Sequence, residues 1–264
     1  MPGNVIILFV GDVVGEPGRK AITVLLPALR EQHRVDFCVV NGENSAGGAG
    51  ITQKTFQELR DAGADVITSG DHIWDNKEVM QIIDEPRLLR PANYPAKASG
   101  HGSVVVESAS GFKLAVLNLM GRTFMKNNDC PFQAAEQTVP KLKLESPLIL
   151  VDMHAETTSE KIAMGRFLDG RVSAVFGTHT HVQTADEQIF PNGTAFLCDV
   201  GMTGPHESIL GREIQPVLQR FLSQMPQRFE VARERICLHG VVVRLEADSG
   251  RALEIKRVSV PLIT

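Results

Sequence analysis

Residues 148–154 read Leu-Ile-Leu-Val-Asp-Met-His, so four apolar residues run directly into an aspartate and a histidine. The same pattern recurs at residues 6–10, which precede Asp12, and at residues 37–40, which precede Glu43. Continuous apolar runs of this length are typical of strands that are buried on both faces. Longer stretches between them carry apolar residues three and four positions apart, as amphipathic helices do. The alternation predicts an α/β fold.

Length and composition exclude several classes of protein. The chain has 264 residues, of which 43% are hydrophobic and 22% are charged, and its formal net charge is −4. It is long enough for a sizeable core, and its charge gives no general attraction to nucleic acid or to an anionic membrane. The apolar run at residues 5–10 is far shorter than the roughly 20 residues of a membrane-spanning helix. No basic stretch or cleavage site marks this run as a signal peptide.

We expect the chain to form one cytoplasmic domain over residues 1–264. Polar and Pro-rich stretches near residues 75–103 and 122–145 are candidates for small cap excursions. The four cysteines, at positions 38, 130, 198 and 237, form no CxxC pair, which argues against a zinc ribbon or a disulfide framework. Dispersed cysteines of this kind suit a reducing compartment.

Residue types that bind metals follow one apolar run after another. In open α/β sheets, ligands bind beyond the carboxyl ends of the strands, so we expect these side chains to converge. The candidates are Asp12, Glu43, Asn44, Asp71, His154, His179 and His181. A set of carboxylates and imidazoles without sulfur suits a pair of Mn, Fe or Zn ions better than one closed structural zinc. Paired metals clamp and activate phosphoryl groups, so the predicted reaction is phosphoester hydrolysis.

The pair His179 and His181 is separated by a single residue. In an extended chain, side chains two positions apart point the same way, so both imidazoles would reach one metal or two adjacent metals. A pair of surface-loop histidines is the alternative. The acids that end other strands favour the metal interpretation.

Glycines are frequent between residues 42 and 50, after a predicted strand. Their spacing does not match the GxGxxG pattern of dinucleotide-binding proteins, and the chain has no GxxxxGK[ST] motif. It also lacks the GxSxG elbow of serine hydrolases. We expect these glycines to let the backbone approach the metals closely and to leave room for substrate.

Seven segments of the chain resemble the calcineurin-like metallophosphoesterase superfamily, and its bacterial YmdB-like branch in particular. They are residues 11–15, 41–48, 70–75, 118–122, 152–161, 177–186 and 199–205. The resemblance implies a four-layer αββα sandwich of two mixed sheets. It implies two transition-metal ions, with iron in first place and manganese or zinc as alternatives. It also implies that cyclic nucleotides of the 2′,3′-cyclic AMP type are hydrolysed by attack of a metal-bridging hydroxide.

The resemblance also implies roles for individual residues. One metal would be surrounded by Asp12, Glu43, Asn44 and His181. Glu43 would bridge to the second metal, which would also be held by Asp71, His154 and His179. His72 would correspond to the histidine that protonates the leaving oxygen. Arg122 is a candidate for binding the substrate phosphate, with a surface salt bridge as the alternative.

One position departs from the family pattern, which has Asn where this chain has Asp71. The replacement is either a tolerated isostere or a functional change. In the second case the extra carboxylate would partly neutralise the metals and make bound water less acidic. It would then favour a trivalent iron at one site or slow the reaction.

Two other functions stay open at this point. One is a phosphomonoesterase that acts on a small metabolite, and the other is a low-turnover regulatory protein that senses a nucleotide. Self-association stays open as well. RNA association is not supported by the bulk charge, and no membrane partner is expected.

Overall fold

A computed structural model describes residues 3–263 as strands and helices that alternate along most of the chain. The strands, in chain order, are β1 (Asn4–Val10), β2 (Asp12–Val13), β3 (Phe37–Asn41), β4 (Val66–Thr68), β5 (Ser103–Glu107), β6 (Lys113–Met120), β7 (Leu148–His154), β8 (Ala174–Thr178), β9 (Gln188–Ile189), β10 (Ala195–Leu197), β11 (Met202–Pro205), β12 (Ile236–Glu246) and β13 (Ala252–Pro261). The helices are α1 (Gly15–His33), α2 (Gln53–Asp61), α3 (Pro131–Lys143), α4 (Thr158–Phe167) and α5 (Ile214–Ser223), with a short 3-10 helix at Lys77–Gln81.

The strands form two mixed sheets. The first has the order β2-β11-β12-β1-β3-β4, with β13 paired to β12. In it β1, β3 and β4 are parallel, whereas β12 runs antiparallel to both β1 and β13. The second sheet has the order β5-β6-β7-β8-β10-β9. Its central strands β6, β7, β8 and β10 are parallel, and β5 and β9 are antiparallel edges.

Strand β1 shows why these strands are apolar throughout. Val5, Ile7 and Phe9 belong to the core between the sheets, where the Phe9 ring lies 5.7 Å from that of Phe176 in the second sheet. Leu8 and Val10 of β1 belong to a second cluster under the helices. Because successive side chains of a strand point to opposite faces, both sets must be apolar when both faces are covered.

Helices cover the outer face of each sheet. Leu26 of α1 and Leu59 of α2 pack in the cluster on the first sheet. Val139 of α3 and Met164 of α4 pack in a third cluster on the second sheet. The layers therefore run helix, sheet, sheet, helix. The predicted αββα sandwich of two mixed sheets is confirmed.

The two sheets meet at the carboxyl ends of their central parallel strands. Asn41, at the end of β3, donates a hydrogen bond of 3.0 Å to Asp152 of β7. Thr68, at the end of β4, donates to the same carboxylate. The backbone N–H of Ser69 donates to Asn118 of β6 at 3.1 Å. The polar residues that follow strands of both sheets are thereby brought to one edge.

The two stretches named as candidate caps differ from each other in structure. The 3-10 helix and a series of turns occupy residues 75–103, while residues 122–145 contain a loop and then α3, one of the covering helices. The single-domain boundary stays a prediction. Among residues 3–263, no helix combines the length and the apolar character that a membrane crossing needs.

Gly177 of β8 provides a test of how closely the strand behind the site is packed. A Cβ atom there would collide with the carbonyl group of Cys198. We therefore expect Gly177→Ala to lower the free energy of unfolding by about 3 kcal/mol, measured by urea denaturation. Gly111→Ala is the control, because Gly111 has φ +81° and, apart from its two chain neighbours, no described residue has an atom within 4 Å of its Cβ position. That change should cost about 1 kcal/mol, from backbone strain alone. Equal losses in the two variants would contradict the close packing at Gly177.

Candidate metal centre

Four of the predicted ligands form a compact cluster. The ligand atoms of Glu43, Asp71, His154 and His179 all lie within 4.8 Å of one another. Nε2 of His154 is 2.8 Å from Oε2 of Glu43 and 3.4 Å from Oδ1 of Asp71. Nδ1 of His179 is 3.0 Å from the same His154 nitrogen. These are the four residues that the family resemblance assigns to one of two metals.

The other three predicted ligands lie beside this cluster. Nε2 of His181 is 3.2 Å from Oδ1 of Asn44 and 4.0 Å from Oδ1 of Asp12. Asp12 contacts both sets of ligands: one oxygen lies near His181, and the other accepts a hydrogen bond of 3.1 Å from the backbone N–H of His179 in the compact cluster. All seven residues singled out from the sequence therefore meet at one edge of the sandwich.

The histidine pair has a different conformation from the one expected. Strand β8 ends at Thr178, and His179 and His181 then adopt left-handed backbone conformations, with φ of +97° and +64°. The expectation of an extended chain with parallel imidazoles is wrong. The bend directs His179 towards His154 and His181 towards Asn44, so each histidine belongs to a different group of ligands.

A buried ion pair holds this bend from behind. Lys161 and Asp199 lie 2.8 Å apart and are almost completely buried. Asp199 accepts hydrogen bonds from the backbone N–H of Thr180, at 3.1 Å, and from its hydroxyl. Lys161 also donates to that hydroxyl at 3.2 Å. Left-handed conformations cost free energy for residues other than glycine. This network fixes the one residue between the two histidines.

A hydrogen-bond chain sets the tautomer of His154. The hydroxyl of Thr178 donates to Asp152 at 2.7 Å, so its oxygen accepts from Nδ1–H of His154 at 2.9 Å. Nε2 of His154 is then the nitrogen that faces the carboxylates. Metal-binding histidines are commonly oriented by such a contact on the far nitrogen. Burial raises the pKa of Asp152 to about 6, although Thr68 and Thr178 both donate to it.

Several features of the cluster fit a metal cation. Among residues 3–263, the carboxylate oxygens Asp12 Oδ1, Glu43 Oε2 and Asp71 Oδ1 are buried and accept no hydrogen bond while Nε2 of His154 is unprotonated. Unpartnered buried carboxylates are costly unless a cation meets them. Gly70 borders the same space, where any Cβ would collide with Glu43 and His154. The open space and the sulfur-free donors suit a transition metal such as Mn, Fe or Zn.

The surrounding charges act differently on the two imidazoles of the cluster. Burial alone would lower the pKa of His154, but Glu43 and Asp71 outweigh it and raise that pKa well above its ordinary value. The space in front of Nε2 therefore attracts positive charge, either as a proton on His154 or as a metal cation that displaces that proton. Burial and the neighbouring His154 lower the pKa of His179 to about 3, which keeps that ring neutral. Neutral imidazole is the form that binds metals.

His72 lies at the rim of the cluster and is about one-third exposed. Its Nδ1 is 2.6 Å from Oδ2 of Asp75. Its Nε2 faces the site, 3.9 Å from Oε1 of Glu43 and 4.0 Å from Oδ2 of Asp71. Asp75 therefore orients the ring so that one nitrogen is directed at the place where a substrate would lie.

Three nearby residues were missed as members of the site. Glu156, which the sequence places at a helix start, has Oε2 3.2 Å from Nε2 of His179. Its position two residues after His154 was the available signal. The sequence contains no comparable signal for Thr178, whose contacts are with a neighbouring strand. It contains none for Lys126 either, because an irregular loop carries this residue to the site. The guanidinium of Arg122 is exposed and forms no ion pair within the described residues, while the Arg122 backbone N–H is held by Glu160 at 3.1 Å.

The hydrogen-bond chain behind His154 yields a prediction. Thr178→Val keeps the side-chain shape but removes the hydroxyl that fixes the imidazole, so we expect metal affinity to fall about 10- to 100-fold. Competition with a chelator of known affinity measures the change. Thr194→Val is the control, because Thr194 is equally buried and its hydroxyl donates to Val172 O at 2.6 Å. The orienting role is wrong if the two variants lose the same affinity.

Comparison with known proteins identifies the family. A family model described as YmdB-like protein matches residues 8–258. A Bacillus subtilis (strain 168) protein named 2′,3′-cyclic-nucleotide 2′-phosphodiesterase is 47% identical over 253 residues, which cover 96% of each chain.

Two solved structures share the fold over nearly the whole length. One is a hypothetical protein from Thermus thermophilus, with a TM-score of 0.92 and 40% identity, covering 97% of this chain and 99% of that chain. The other is a novel phosphatase from Mycoplasma pneumoniae, with a TM-score of 0.92 and 33% identity, covering 99% of this chain and 95% of that chain. The predicted resemblance and the predicted phosphoesterase class are confirmed at this level. The chain belongs to the YmdB-like protein family.

Proposed function

We propose that the protein is a metal-dependent phosphodiesterase that hydrolyses 2′,3′-cyclic nucleotides. The observation that carries the proposal is the cluster of Glu43, Asp71, His154 and His179, in which each acid keeps one buried oxygen that accepts no hydrogen bond while Nε2 of His154 is unprotonated. Donors of this kind serve phosphoester hydrolysis when they hold paired metals. The substrate class is supported by the name of the Bacillus subtilis relative, which is 47% identical.

We assign two metal positions to the seven ligands. The compact cluster would hold one cation, and Asp12, Asn44 and His181 would hold the other together with Glu43. Iron is proposed first, as the family resemblance implies. Manganese and zinc are the alternatives, because carboxylate and imidazole donors accept all three metals. When bound, the cations supply charge stabilisation for the phosphate and activation of the attacking water.

Asp71 acts as a tolerated replacement of the family Asn in this proposal. Nζ of Lys126 lies 4.0 Å from Oδ2 of Asp71 and 3.5 Å from Oδ1 of Asp75. A cation outside the ligand set thus meets part of the additional negative charge. This contact supports the isostere interpretation over a functional change.

His72 is proposed as the proton donor to the leaving ribose oxygen. Its Nε2 faces the cluster, and Asp75 holds the opposite nitrogen at 2.6 Å. A ribose alkoxide is a poor leaving group, so proton transfer to it matters more than transfer to an acidic phenol.

A cytoplasmic location is also proposed. It is supported by the four cysteines, each of which is a free thiol, with Cys38 and Cys198 buried. Association with RNA and self-association stay alternatives from the sequence, and the net charge of −4 argues against the first.

A side-by-side assay tests the proposed function. We expect 2′,3′-cyclic AMP to be opened to a monoester by protein that carries about two equivalents of transition metal per chain, with little activity on the monoester. His181→Ala should lose both metal and activity, because it removes one ligand. Elemental analysis of the same samples measures the metal.

The outcomes separate the candidate functions. Faster hydrolysis of monoesters would favour a phosphomonoesterase, which the name of the Mycoplasma pneumoniae phosphatase makes the second candidate. Full metal content with no turnover of either substrate would refute both activities. Unchanged metal content in His181→Ala would refute the ligand assignment.

The role of His72 has a separate test. His72→Ala should lower kcat for 2′,3′-cyclic AMP about 100-fold or more, and much less for an aryl phosphodiester whose phenolate needs no proton. His33→Ala, which changes a histidine at the end of α1, is the control and should alter neither rate. An equal loss on both substrates would show that His72 positions the substrate rather than donating a proton.

A further inference from the structure

The loop that follows β6 is fixed to the site at its first residues. We name residues 121–126 the aromatic loop. The backbone N–H of Gly121 donates to the His154 carbonyl at 2.9 Å. The carboxylate of Glu160 accepts from the backbone N–H groups of Arg122, at 3.1 Å, and Thr123, at 3.3 Å. These contacts leave the first half of the loop little freedom beside the metal cluster.

The other end of the aromatic loop is fixed to the opposite sheet. Lys126 donates to the backbone carbonyl of Asp71, and its ammonium lies 3.5 Å from Oδ1 of Asp75. Asp71 and Asp75 flank His72 in the segment after β4. The loop therefore lies along the side of the site that carries the proposed proton donor.

Phe124 stands between these two anchors and is 88% exposed. Its backbone is left-handed, with φ +61°, in a turn where the N–H of Met125 approaches the carbonyl of Arg122 at 3.3 Å. A large side chain in this conformation strains the backbone, and an exposed ring contributes almost nothing to core packing. Strained residues of this kind concentrate where a ligand is bound.

We propose that Phe124 is the stacking surface for the nucleobase of the substrate, an inference that rests on the proposed function. The leaving ribose oxygen must lie at Nε2 of His72, and the base is attached to the same ribose. Two residues of chain span at most about 7 Å, so the backbone of Phe124 lies within that distance of Lys126, whose side chain extends to the carbonyl of Asp71 beside His72. Every base presents an aromatic face, so stacking would accept purines and pyrimidines alike.

Other aromatic side chains at this edge are less suited to the role. Trp74 and Tyr94 pack edge to face, with ring centroids 5.8 Å apart, and both lie against the core under the helices. Phe124, by contrast, is exposed and belongs to none of the core clusters. The exposed guanidinium of Arg122, two residues before it, would favour an anionic nucleotide over a neutral ligand.

A pair of substrates that differ only in the base tests the proposal. Rates are compared for 2′,3′-cyclic AMP and for methyl riboside 2′,3′-cyclic phosphate, which lacks the base. We expect Phe124→Ala to reduce the preference for the nucleotide about tenfold, mainly through KM, as loss of one stacking contact implies. Phe124→Trp should keep the preference. Phe221→Ala is the matched control, because Phe221 on α5 is also exposed, at 78%, and it should keep the preference too.

Stability provides a second measurement. Phe124→Gly suits the left-handed backbone, so its unfolding midpoint should equal or exceed that of the wild type while the base preference is lost. A clear fall in the midpoint would show a structural role and overturn the proposal. If the wild type hydrolyses neither cyclic phosphate, the proposed function is wrong and the base subsite with it. If it hydrolyses both and Phe124→Ala keeps the preference, only the base subsite is wrong.

Discussion

Asp152 joins the two sheets through hydrogen bonds that it accepts from both of them. Asn41 and Thr68 donate from the first sheet, and Thr178 donates from the second. The Asp152 carboxylate has no exposed surface, and burying its charge costs free energy. The same burial raises the pKa of Asp152. The three donors offset the cost of burial, because hydrogen bonds to a charged group contribute about 1.5–3 kcal/mol each. The loops that carry Glu43 and Asp71 can face His154 only while these strand ends stay in register.

The same edge concentrates negative charge to a degree that the protein alone does not balance. Among the described residues, Asp12, Glu43 and Asp71 each keep one buried oxygen that accepts no hydrogen bond while Nε2 of His154 is unprotonated. Lys126 meets part of this charge from outside, at about the distance of a loose ion pair. His154 meets another part, and the surrounding acids raise its pKa to do so. The metal pair proposed above would complete this arrangement, because its charge is compact and needs no additional side chain.

The sequence predicted the parts of the site that follow from strand pattern. Glu43 and His154 were found because each follows or ends an apolar run, and parallel strands present their ends together. The bend at His179 was not predicted, since nothing in a His-Thr-His triplet indicates a left-handed backbone. Thr178 was missed because its function depends on a neighbour in another strand. Lys126 was missed because an irregular loop carries it across the sheets, and no periodicity records such a path.

The buried pair of Lys161 and Asp199 lies on the far side of the histidine bend from the metal ligands. The contacts that hold the bend therefore include none of the metal ligands. They favour a preorganised site, in which the two imidazoles need little rearrangement to meet a cation.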